Sequence, residues 1–344
     1  MHGIAQQQPF LNPAFLQAFK NPRCDIHKSP AGGRLDIKLV SVCFHSLGYL
    51  CAKDTKFLLL QELRLFHDYF FCIFRLMMNP VPTNGYCVVT GAANGLGKAF
   101  ALELAGRNLN TLLVDLPGKG LPELCSHIHQ QFNVLSHCFE CDLTKKDQVL
   151  ELGTRINGQF PVFLLINNAG TGGSMKFEEA PADYLDRIIQ LNVMATTLLT
   201  RQLIPNLLAQ KKSYILNVSS MAAFSPIGYK TIYPASKIFV HYFSRSLYQE
   251  YKKTNLFVSV VNPGPMKTNP EVTRRIEKQG FFSHWGVMTT AKVAAISIRQ
   301  LFKRDTMIML SFTNGLNWLV LKLVPIYIRL PLLSRAIKKE LVVI

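Results

Sequence analysis

Short apolar runs alternate with longer amphipathic stretches from about residue 84 to the end of the chain. The runs are residues 86–90, 111–115, 162–167, 213–219 and 256–262. Strands that alternate with helices in this rhythm predict βαβ units and a parallel sheet covered by helices on both faces. Residues 182–210 and 234–253 have helical periodicity and predict two long helices. We therefore expect an α/β fold, a doubly wound parallel sheet in one domain.

Residues 1–83 do not share this rhythm. Their apolar clusters are irregular, and residues 57–78 are apolar on too many sides for a simple surface helix. This segment could be a membrane-associated arm or could pack against the core. A third hypothesis is that it is not part of the native product, because Met77 and Met78 stand just before the first strand.

The formal net charge of +17 indicates an anionic partner: a membrane surface, nucleic acid or a phosphorylated ligand. The chain has no recognised nucleic-acid-binding motif, so we expect no nucleic-acid partner. From residue 297 onward the basic residues are Arg299, Lys303, Arg304, Lys322, Arg329, Arg335, Lys338 and Lys339, against Asp305 and Glu340. This pattern suits either a solvated surface or peripheral contact with an anionic bilayer through the C-terminal segment. Pro325 and Pro331 predict short helices there.

Eight cysteines follow no regular framework, and the single CxxC, Cys138 to Cys141, has no second pair at zinc-like spacing. We expect free thiols in a reducing compartment and no metal site. The opening residues are polar and lack the apolar core of a secretory signal. The expected location is therefore cytoplasmic, with a peripheral position on a membrane surface as the alternative.

The stretch VVTGAANGLGKAF follows the first predicted strand and opens a helix, with glycines at 91, 95 and 97. A glycine-rich turn of this kind lets the backbone approach a pyrophosphate at a helix N-terminus, as in Rossmann-type folds. Asp115 follows about 20 residues later, where a carboxylate can bond ribose hydroxyls and would repel a 2′-phosphate. We expect NAD(H) to be preferred, with NADP(H) as the alternative. Asp115 could also merely begin the DLPGKG turn.

TIYPASKIF places Tyr233 and Lys237 four residues apart, where both side chains share one helical face. This spacing alone fits an ordinary helix start as well as a catalytic pair. The other motifs decide between them. In chain order they are TGAANGLG (Thr90–Gly97), CDL (141–143), NNAG (Asn167–Gly170), LNV (191–193), NVSS (217–220), YPASK (233–237) and NPGPMKT (Asn262–Thr268).

Together these motifs resemble the classical branch of the short-chain dehydrogenase/reductase family, over residues 86–312. The resemblance implies a catalytic set of Asn192, Ser220, Tyr233 and Lys237. Ser220 is chosen over Ser219 because it lies thirteen residues before the tyrosine. The implied cofactor-binding residues are Thr90, Gly91, Asn94, Gly95, Leu96, Gly97, Asp115, Asp142, Leu143, Asn168, Ala169, Gly170, Tyr233, Lys237, Pro263, Gly264 and Thr268.

The resemblance also implies the chemistry. A free tyrosine titrates near ~10, so Lys237 and an oxidised nicotinamide would have to lower the pKa of Tyr233 for it to act as a base. Lys237 would bond the nicotinamide ribose, and Ser220 would stabilise charge on the substrate oxygen. Asn192 would hold a water that relays protons. The alternative for Asn192 is a helix-interior polar residue satisfied locally.

Substrate recognition is expected in the segment after NPGPMKT, with Phe281, Phe282, Trp285 and Met288. Met221, Phe224 and Ile227 stand beside the catalytic set. Apolar pockets with few polar groups suit a lipophilic alcohol or ketone, although these side chains could instead pack a lid onto the core. Family members often dimerise through two long helices, which here are 182–210 and 234–253; a monomer is the alternative.

The predicted organisation is an N-terminal extension (1–83), an NAD(P)-binding short-chain dehydrogenase domain (84–312) and an apolar, basic C-terminal extension (313–344). The predicted function is an NAD(P)-dependent oxidoreductase that interconverts a secondary alcohol and a ketone, with Tyr233 as general acid/base. One alternative is an NADPH-dependent 3-oxoacyl or steroid reductase. Another, from a different class, is a non-catalytic NAD(H)-binding module attached to a membrane.

Overall fold

The computed structural model describes residues 85–267 and 288–341. The strands are β1 (Tyr86–Thr90), β2 (Asn110–Asp115), β3 (Ser136–Glu140), β4 (Val162–Asn167), β5 (Ser213–Val218), β6 (Leu256–Val261), β7 (Met266–Lys267), β8 (Met288–Thr289) and β9 (Met307–Ile308). Within these residues, seven strands form one parallel sheet in the order β3-β2-β1-β4-β5-β6-β9, and β7 pairs with β8.

Helices connect the strands and extend beyond the sheet. They are α1 (Gly95–Ala105), α2 (Leu121–Phe132), α3 (Lys146–Gln159), α4 (Ala182–Ile189), α5 (Thr196–Leu208), α6 (Ile232–Tyr251), α7 (Thr290–Phe302), α8 (Phe312–Leu323) and α9 (Ile326–Leu341). A π-helical segment, Gln190–Ala195, joins α4 to α5, and short 3₁₀ turns occupy Phe177–Glu179 and Met221–Phe224.

Both faces of the sheet are covered, which explains why the central strands are continuously apolar. All six residues of β4, of β5 and of β6 are buried. Successive side chains point to opposite faces, so Val89 packs in the core under α1 and α7, whereas Val88 packs in the core under α3 and α5. The predicted doubly wound α/β fold is confirmed.

The strand order reverses next to β1. The chain runs from β1 outward to β2 and β3, then returns to β4 on the other side of β1. The crossovers diverge at this point and leave a crevice outside the carboxyl ends of β1 and β4, which is where open α/β sheets bind ligands. The predicted motifs follow these strand ends.

Two predicted helices differ from the structure. Residues 182–210 are not one regular α-helix, since the π-helical segment interrupts them at Gln190–Ala195. Pro331 does not end a helix: it lies inside α9, and only Pro325 separates α8 from α9. Pro331 removes the hydrogen bond to the carbonyl of Tyr327, a residue that is 74% exposed, so water can satisfy that carbonyl.

Several predictions fall outside the described residues. They concern the extension 1–83, Thr268 and the recognition residues Phe281, Phe282 and Trp285. Among the helices that the structure does describe, none combines the length and the apolar character needed to cross a bilayer.

Candidate active site

The glycine loop lies between the end of β1 and the start of α1. Gly91 and Gly95 have φ values of +65° and +56°, a region that side chains with a Cβ rarely adopt. A methyl group on Gly97 would overlap the Gly91 carbonyl oxygen, so the first turn of α1 packs directly on the loop. The three glycines therefore have distinct structural reasons to be glycine.

Thr90 and Asn168 hold this loop against β4. The Thr90 hydroxyl accepts hydrogen bonds from the backbone N–H groups of Asn168 and Ala169, each at 3.0 Å. The Asn168 side-chain amide donates to the carbonyls of Thr90 (2.9 Å) and Gly91 (3.2 Å). Thr90 and Asn168 are predicted cofactor-binding residues, and in the structure their hydrogen bonds hold the glycine loop in place.

Asp115 ends β2 and reaches the same loop. One carboxylate oxygen accepts from the backbone N–H of Ala93 and the other from that of Leu116, both at 2.8 Å. Asp115 therefore contacts the glycine loop, where it is predicted to bind a ribose, and also stabilises the turn that follows β2. Asp142 follows the neighbouring strand β3, where its carboxylate accepts from both the backbone N–H and the hydroxyl of Thr144. Leu143 is buried beside it.

These residues fit a nicotinamide adenine dinucleotide. The Asn94 side chain makes no capping hydrogen bond to α1, and the first turn of that helix has no acidic residue. The N–H groups at this helix start are therefore available to an anion, and the glycines leave room for a pyrophosphate. Asp115 stands at the end of the adjacent strand, as a ribose ligand requires.

Tyr233 and Lys237 lie in the first turns of α6, on the face turned toward β5. The Lys237 ammonium is buried, donates to the Val218 carbonyl at 3.0 Å and lies 5.9 Å from the centroid of the Tyr233 ring. Burial lowers the pKa of Lys237 to about 8. The predicted pairing of these two side chains on one helical face is present in the structure.

Burial and a hydrogen bond have opposite effects on the acidity of Tyr233. Although part of the side chain is accessible, burial raises the pKa of its phenol, and a hydrogen bond with Ser220 offsets only part of that increase. The increase has a physical cause: burial removes the phenolate from water. The expected lowering of this pKa by Lys237 together with an oxidised nicotinamide stays a prediction.

The two neighbouring serines have different roles. The Ser219 hydroxyl is buried and donates to the backbone carbonyl of Lys237 at 2.7 Å. The Ser220 hydroxyl accepts from the backbone N–H of Ala222 at 3.1 Å and also reaches Tyr233. Ser220 is therefore the serine that faces the phenol, which agrees with the choice based on spacing.

Asn192 lies in the π-helical segment and is 1% exposed. Its carbonyl oxygen accepts from the backbone N–H of Thr171 at 2.8 Å, and its amide donates to the carbonyl of Thr171 and the hydroxyl of Ser236, both at 2.9 Å. These partners are distant in sequence, so Asn192 does not bond to the backbone of its own helical turn, and its role in holding a relay water stays a prediction. Asn192 links the loop after β4 to α6, the helix that carries Tyr233.

Sequence reasoning missed the glycines that follow Gly170. A methyl group on Gly172 would lie 2.8 Å from Cγ and Cε2 of Tyr233, and one on Gly173 would lie 2.5 Å from the phenol oxygen of Tyr184. A methyl group on Gly170 would lie 3.1 Å from both Asn192 Oδ1 and Lys237 Nζ. The run AGTGG after a strand is the signal that could have revealed this close contact.

A small cleft opens beside Tyr233. Its walls include Met175, Tyr184, Ile188 and Tyr229, so the cleft is largely apolar. Two side chains expected to contact substrate lie elsewhere: Phe224 packs on His241 and Trp318, and Met288 packs against the hydrophobic core. In the NPG motif, the Pro263 carbonyl accepts from the N–H of Met221 at 2.9 Å, and Gly264 is half-buried.

The comparisons with known proteins agree with this geometry. The family model described as short chain dehydrogenase matches residues 86–279, more than half of the chain. The chain therefore belongs to the short chain dehydrogenase family.

Among curated proteins, the chain is similar to a very-long-chain 3-oxoacyl-CoA reductase of Anas platyrhynchos, with 34% identity over 183 residues. The match covers 52% of this chain and 58% of that protein, so it spans less than two thirds of the relative's length.

Solved structures agree as well. A short-chain dehydrogenase from Sphingobium yanoikuyae in complex with NADPH has a TM-score of 0.61 and 25% identity, covering 69% of this chain and 92% of that one. The bulky-bulky ketone specific alcohol dehydrogenase from Comamonas testosteroni has a TM-score of 0.60 and 25% identity, covering 69% and 90%.

Proposed function

We propose that this protein is an NAD(P)-dependent oxidoreductase that reduces a lipophilic ketone to a secondary alcohol, with a long-chain 3-oxoacyl thioester as the leading substrate class. The observation that carries the proposal is the grouping of Tyr233 with Ser220 and Lys237, where Tyr233 forms part of the wall of a largely apolar cleft. The names of the curated reductases and of the ketone-specific neighbour support the substrate class. The net charge of +17 suits the phosphates of a coenzyme A thioester.

Each residue has a defined part in this reaction. Ser220 donates a hydrogen bond to the substrate oxygen and stabilises charge that develops there. Tyr233 gives its phenolic proton to that oxygen, and its raised pKa keeps the phenol protonated at neutral pH. When bound, the nicotinamide supplies the hydride that reduces the carbonyl carbon. Asn192 holds α6 and the loop after β4 in register through Ser236 and Thr171.

The protonation state of Tyr233 bears on the direction of the reaction. A phenol that holds its proton at neutral pH is in the form that general-acid catalysis of reduction requires. Alcohol oxidation needs the phenolate, so its rate should increase as the pH rises. The Lys237 ammonium is one source of positive charge that favours the phenolate, and the positively charged ring of an oxidised cofactor is the other.

The preference for NAD(H) is also part of the proposal. Asp115 supports it, since a carboxylate at the glycine loop repels the 2′-phosphate of NADP(H). The NADPH in the Sphingobium structure supports the alternative. Measured KM values for NADH and NADPH, compared between the wild type and Asp115→Asn, test this point. We expect the variant to lose preference for NADH, and an unchanged ratio would contradict a role for Asp115.

Two further aspects extend the proposal. A homodimer through α5 and α6 is supported by exposed aromatic side chains on α6, where Tyr242 is 64% exposed and Phe239 stacks on Phe243. A reducing, cytoplasmic location is supported by the free thiols of Cys87, Cys125, Cys138 and Cys141. Peripheral membrane contact is supported by the basic, apolar C-terminal segment. Light scattering and cell fractionation test these two aspects.

The decisive experiment measures NADH and NADPH oxidation with 3-oxoacyl-CoA substrates of increasing chain length. Tyr233→Phe should lower kcat by a factor on the order of 10²–10⁴, because the substituted ring has no proton to give. Tyr242→Phe, an exposed tyrosine on the same helix, is the matched control and should retain activity. Equal rates for wild type and Tyr233→Phe would refute the proposed mechanism. Cofactor binding by fluorescence titration without turnover of any substrate would favour the non-catalytic binding module.

A further inference from the structure

The helix pair α8 and α9 exposes an unusual amount of apolar surface. We define its C-terminal face by Phe312, Leu316, Leu319, Leu323, Tyr327 and Leu332, whose side chains are between 42% and 86% exposed. The four residues on α8 follow a 4-3-4 spacing and so form one stripe along the helix. Scattered exposed apolar side chains are ordinary, but a continuous stripe of this length marks an interaction surface.

The opposite side of α8 is fixed to the domain. Trp318 contacts Phe224 with 6.4 Å between ring centroids, and Phe224 lies in the 3₁₀ turn directly after Ser220. Asn314, one helical turn earlier on the same side of α8, is 2% exposed. Because the inner side of α8 packs against the domain, the apolar stripe on its other side faces outward.

Charge identifies the partner of the C-terminal face. Residues 312–339 contain five Lys or Arg residues and no Asp or Glu. Arg335 and Lys338 of α9 are exposed, so cations accompany the apolar side chains, whereas the Lys322 ammonium lies over the ring of Trp318. Apolar side chains bordered by cations are the pattern of a helix that lies in the interface of an anionic bilayer. A second copy of the chain is a poor occupant, because an isologous contact would bring like charges together.

Helix α9 contacts a loop that also lines the cleft. The backbone N–H of Gly228 donates to the Ser334 hydroxyl of α9 at 2.8 Å, and a methyl group on Gly228 would lie 3.1 Å from Ser334 Cβ. The next residue, Tyr229, lines the cleft, and its carbonyl accepts from the N–H of Met175 on the facing wall at 2.7 Å. One loop thus connects α9 to the pocket beside Tyr233.

We propose that α8 and α9 lie on an anionic phospholipid surface, with the apolar stripe inserted at the boundary between headgroups and acyl chains. This placement brings the loop 228–231 and the cleft next to the bilayer, from which a lipophilic substrate enters. The proposal of membrane docking depends only on the exposed apolar side chains and the cations beside them. The proposal that substrate enters from the bilayer also depends on the proposed function.

The test is flotation of the full chain with vesicles of phosphatidylcholine plus phosphatidylserine, and with vesicles of phosphatidylcholine alone. The apolar variant combines Phe312→Ser, Leu323→Ser and Tyr327→Ser, and the charge variant combines Arg335→Gln and Lys338→Gln. Leu135→Ser, an exposed leucine before β3, is the matched control. Circular dichroism and thermal unfolding show that each variant is folded.

We expect the wild type and the control to bind the anionic vesicles more tightly than the neutral ones. The charge variant should bind the anionic vesicles about thirtyfold more weakly at low salt, and the apolar variant at least about tenfold more weakly. Binding by both variants equal to that of the wild type would overturn the proposal. Equal binding of the wild type to the two kinds of vesicle would also overturn it. A third contradicting outcome is a dimer in light scattering that the apolar substitutions dissociate while vesicle binding persists.

Vesicle binding is measured without substrate, so its result is independent of turnover. A chain that docks on vesicles but oxidises no cofactor with any 3-oxoacyl-CoA would retain the docking surface and lose the proposed function. A chain that is active but does not bind vesicles would retain the proposed function and lose the docking surface.

Discussion

The interior of the domain and its C-terminal helix pair break the usual distribution of polar and apolar residues in opposite ways. At the ends of β4 and β5, Asn167 donates to Thr200 and Asn217, and Asn217 donates to Ser244, all within a buried region. On α8 and α9, large apolar side chains are exposed instead. Buried polar groups and exposed apolar stripes are the informative exceptions to the rule that apolar residues are inside.

The two exceptions differ in what they cost the fold. The buried side chains of Asn167 and Asn217 form hydrogen bonds of 2.8–2.9 Å with each other, with Thr200 and with Ser244. Their burial is therefore compensated, and the residues next to the catalytic set are held in one arrangement. The exposed stripe has no such compensation among the residues that the structure describes. The first exception therefore supports a rigid site, and the second supports association.

The largest expected effect is that of Lys237→Met. Activity should fall by a factor on the order of 10³, because the buried ammonium is removed from the site. Stability at neutral pH should rise by about 3 kcal/mol, because burial lowers the pKa of Lys237 to about 8 and charging it in the folded state is unfavourable. Thermal unfolding and NAD(P)H oxidation measure the two effects.

The stability gained by Lys237→Met should depend on pH in a defined direction. The unfavourable charge is fully present below the folded pKa of about 8 and disappears above the ordinary value of 10.5. The stability difference between Lys237→Met and the wild type should therefore shrink as the pH rises through this window. A difference that stays constant from pH 8 upward would show that the charge of Lys237 is not its cause.

Gly172→Ala should lower kcat by about 10²-fold, since the added methyl group would lie 2.8 Å from two atoms of the Tyr233 ring and force the ring to move. Gly158→Ala is the matched control, because its methyl group would meet no atom within 4 Å. Steady-state kinetics with both variants make the test. Wild-type kcat in Gly172→Ala would mean that the position of the ring is not critical.

Asn217→Ala should destabilise the protein by about 3 kcal/mol, because it leaves Asn167 and Ser244 without their partner in a buried region. Asn317→Ala, at an exposed position of α8, should change stability little. Chemical denaturation measures both. A small effect at Asn217 would indicate that the buried network adapts to the loss of one member.

The smallest expected effect concerns the C-terminal face. Leu319→Ser, at a leucine that is 44% exposed, should change the free energy of unfolding by less than about 0.5 kcal/mol. Leu203→Ser, at a fully buried leucine of α5, should cost more than about 3 kcal/mol in the same denaturation experiment. A large loss of stability at Leu319 would mean that the stripe is covered within the protein, and the contrast between the two regions would fail.

Much of the fold and the site could be predicted from the sequence. The predicted runs 86–90 and 162–167 match β1 and β4 residue for residue, and the predicted family is confirmed. Strands buried on both faces must be continuously apolar, so their bounds are visible in composition. The position of Ser220 relative to Tyr233 followed from motif spacing and agrees with the contact in the structure.

Other features depend on groups that are distant in the chain. Gly172 is opposite Tyr233 only because β4 and α6 are brought together. The interaction of Asn192 with Thr171 and Ser236 likewise joins three separate segments. No local pattern reports such distances, and the burial that raises the pKa of Tyr233 is likewise created by distant segments.

The sequence by itself determined the alternation of strands and helices, the glycine loop and the spacing of the catalytic side chains, because each depends on neighbours within a few turns. Only the tertiary structure decided which polar groups are paired in the interior, how burial sets the pKa values of Tyr233 and Lys237, and which side of α8 is left exposed. These properties are set by the environment that distant segments create around a side chain, since desolvation and contact depend on all atoms nearby and not on order along the chain.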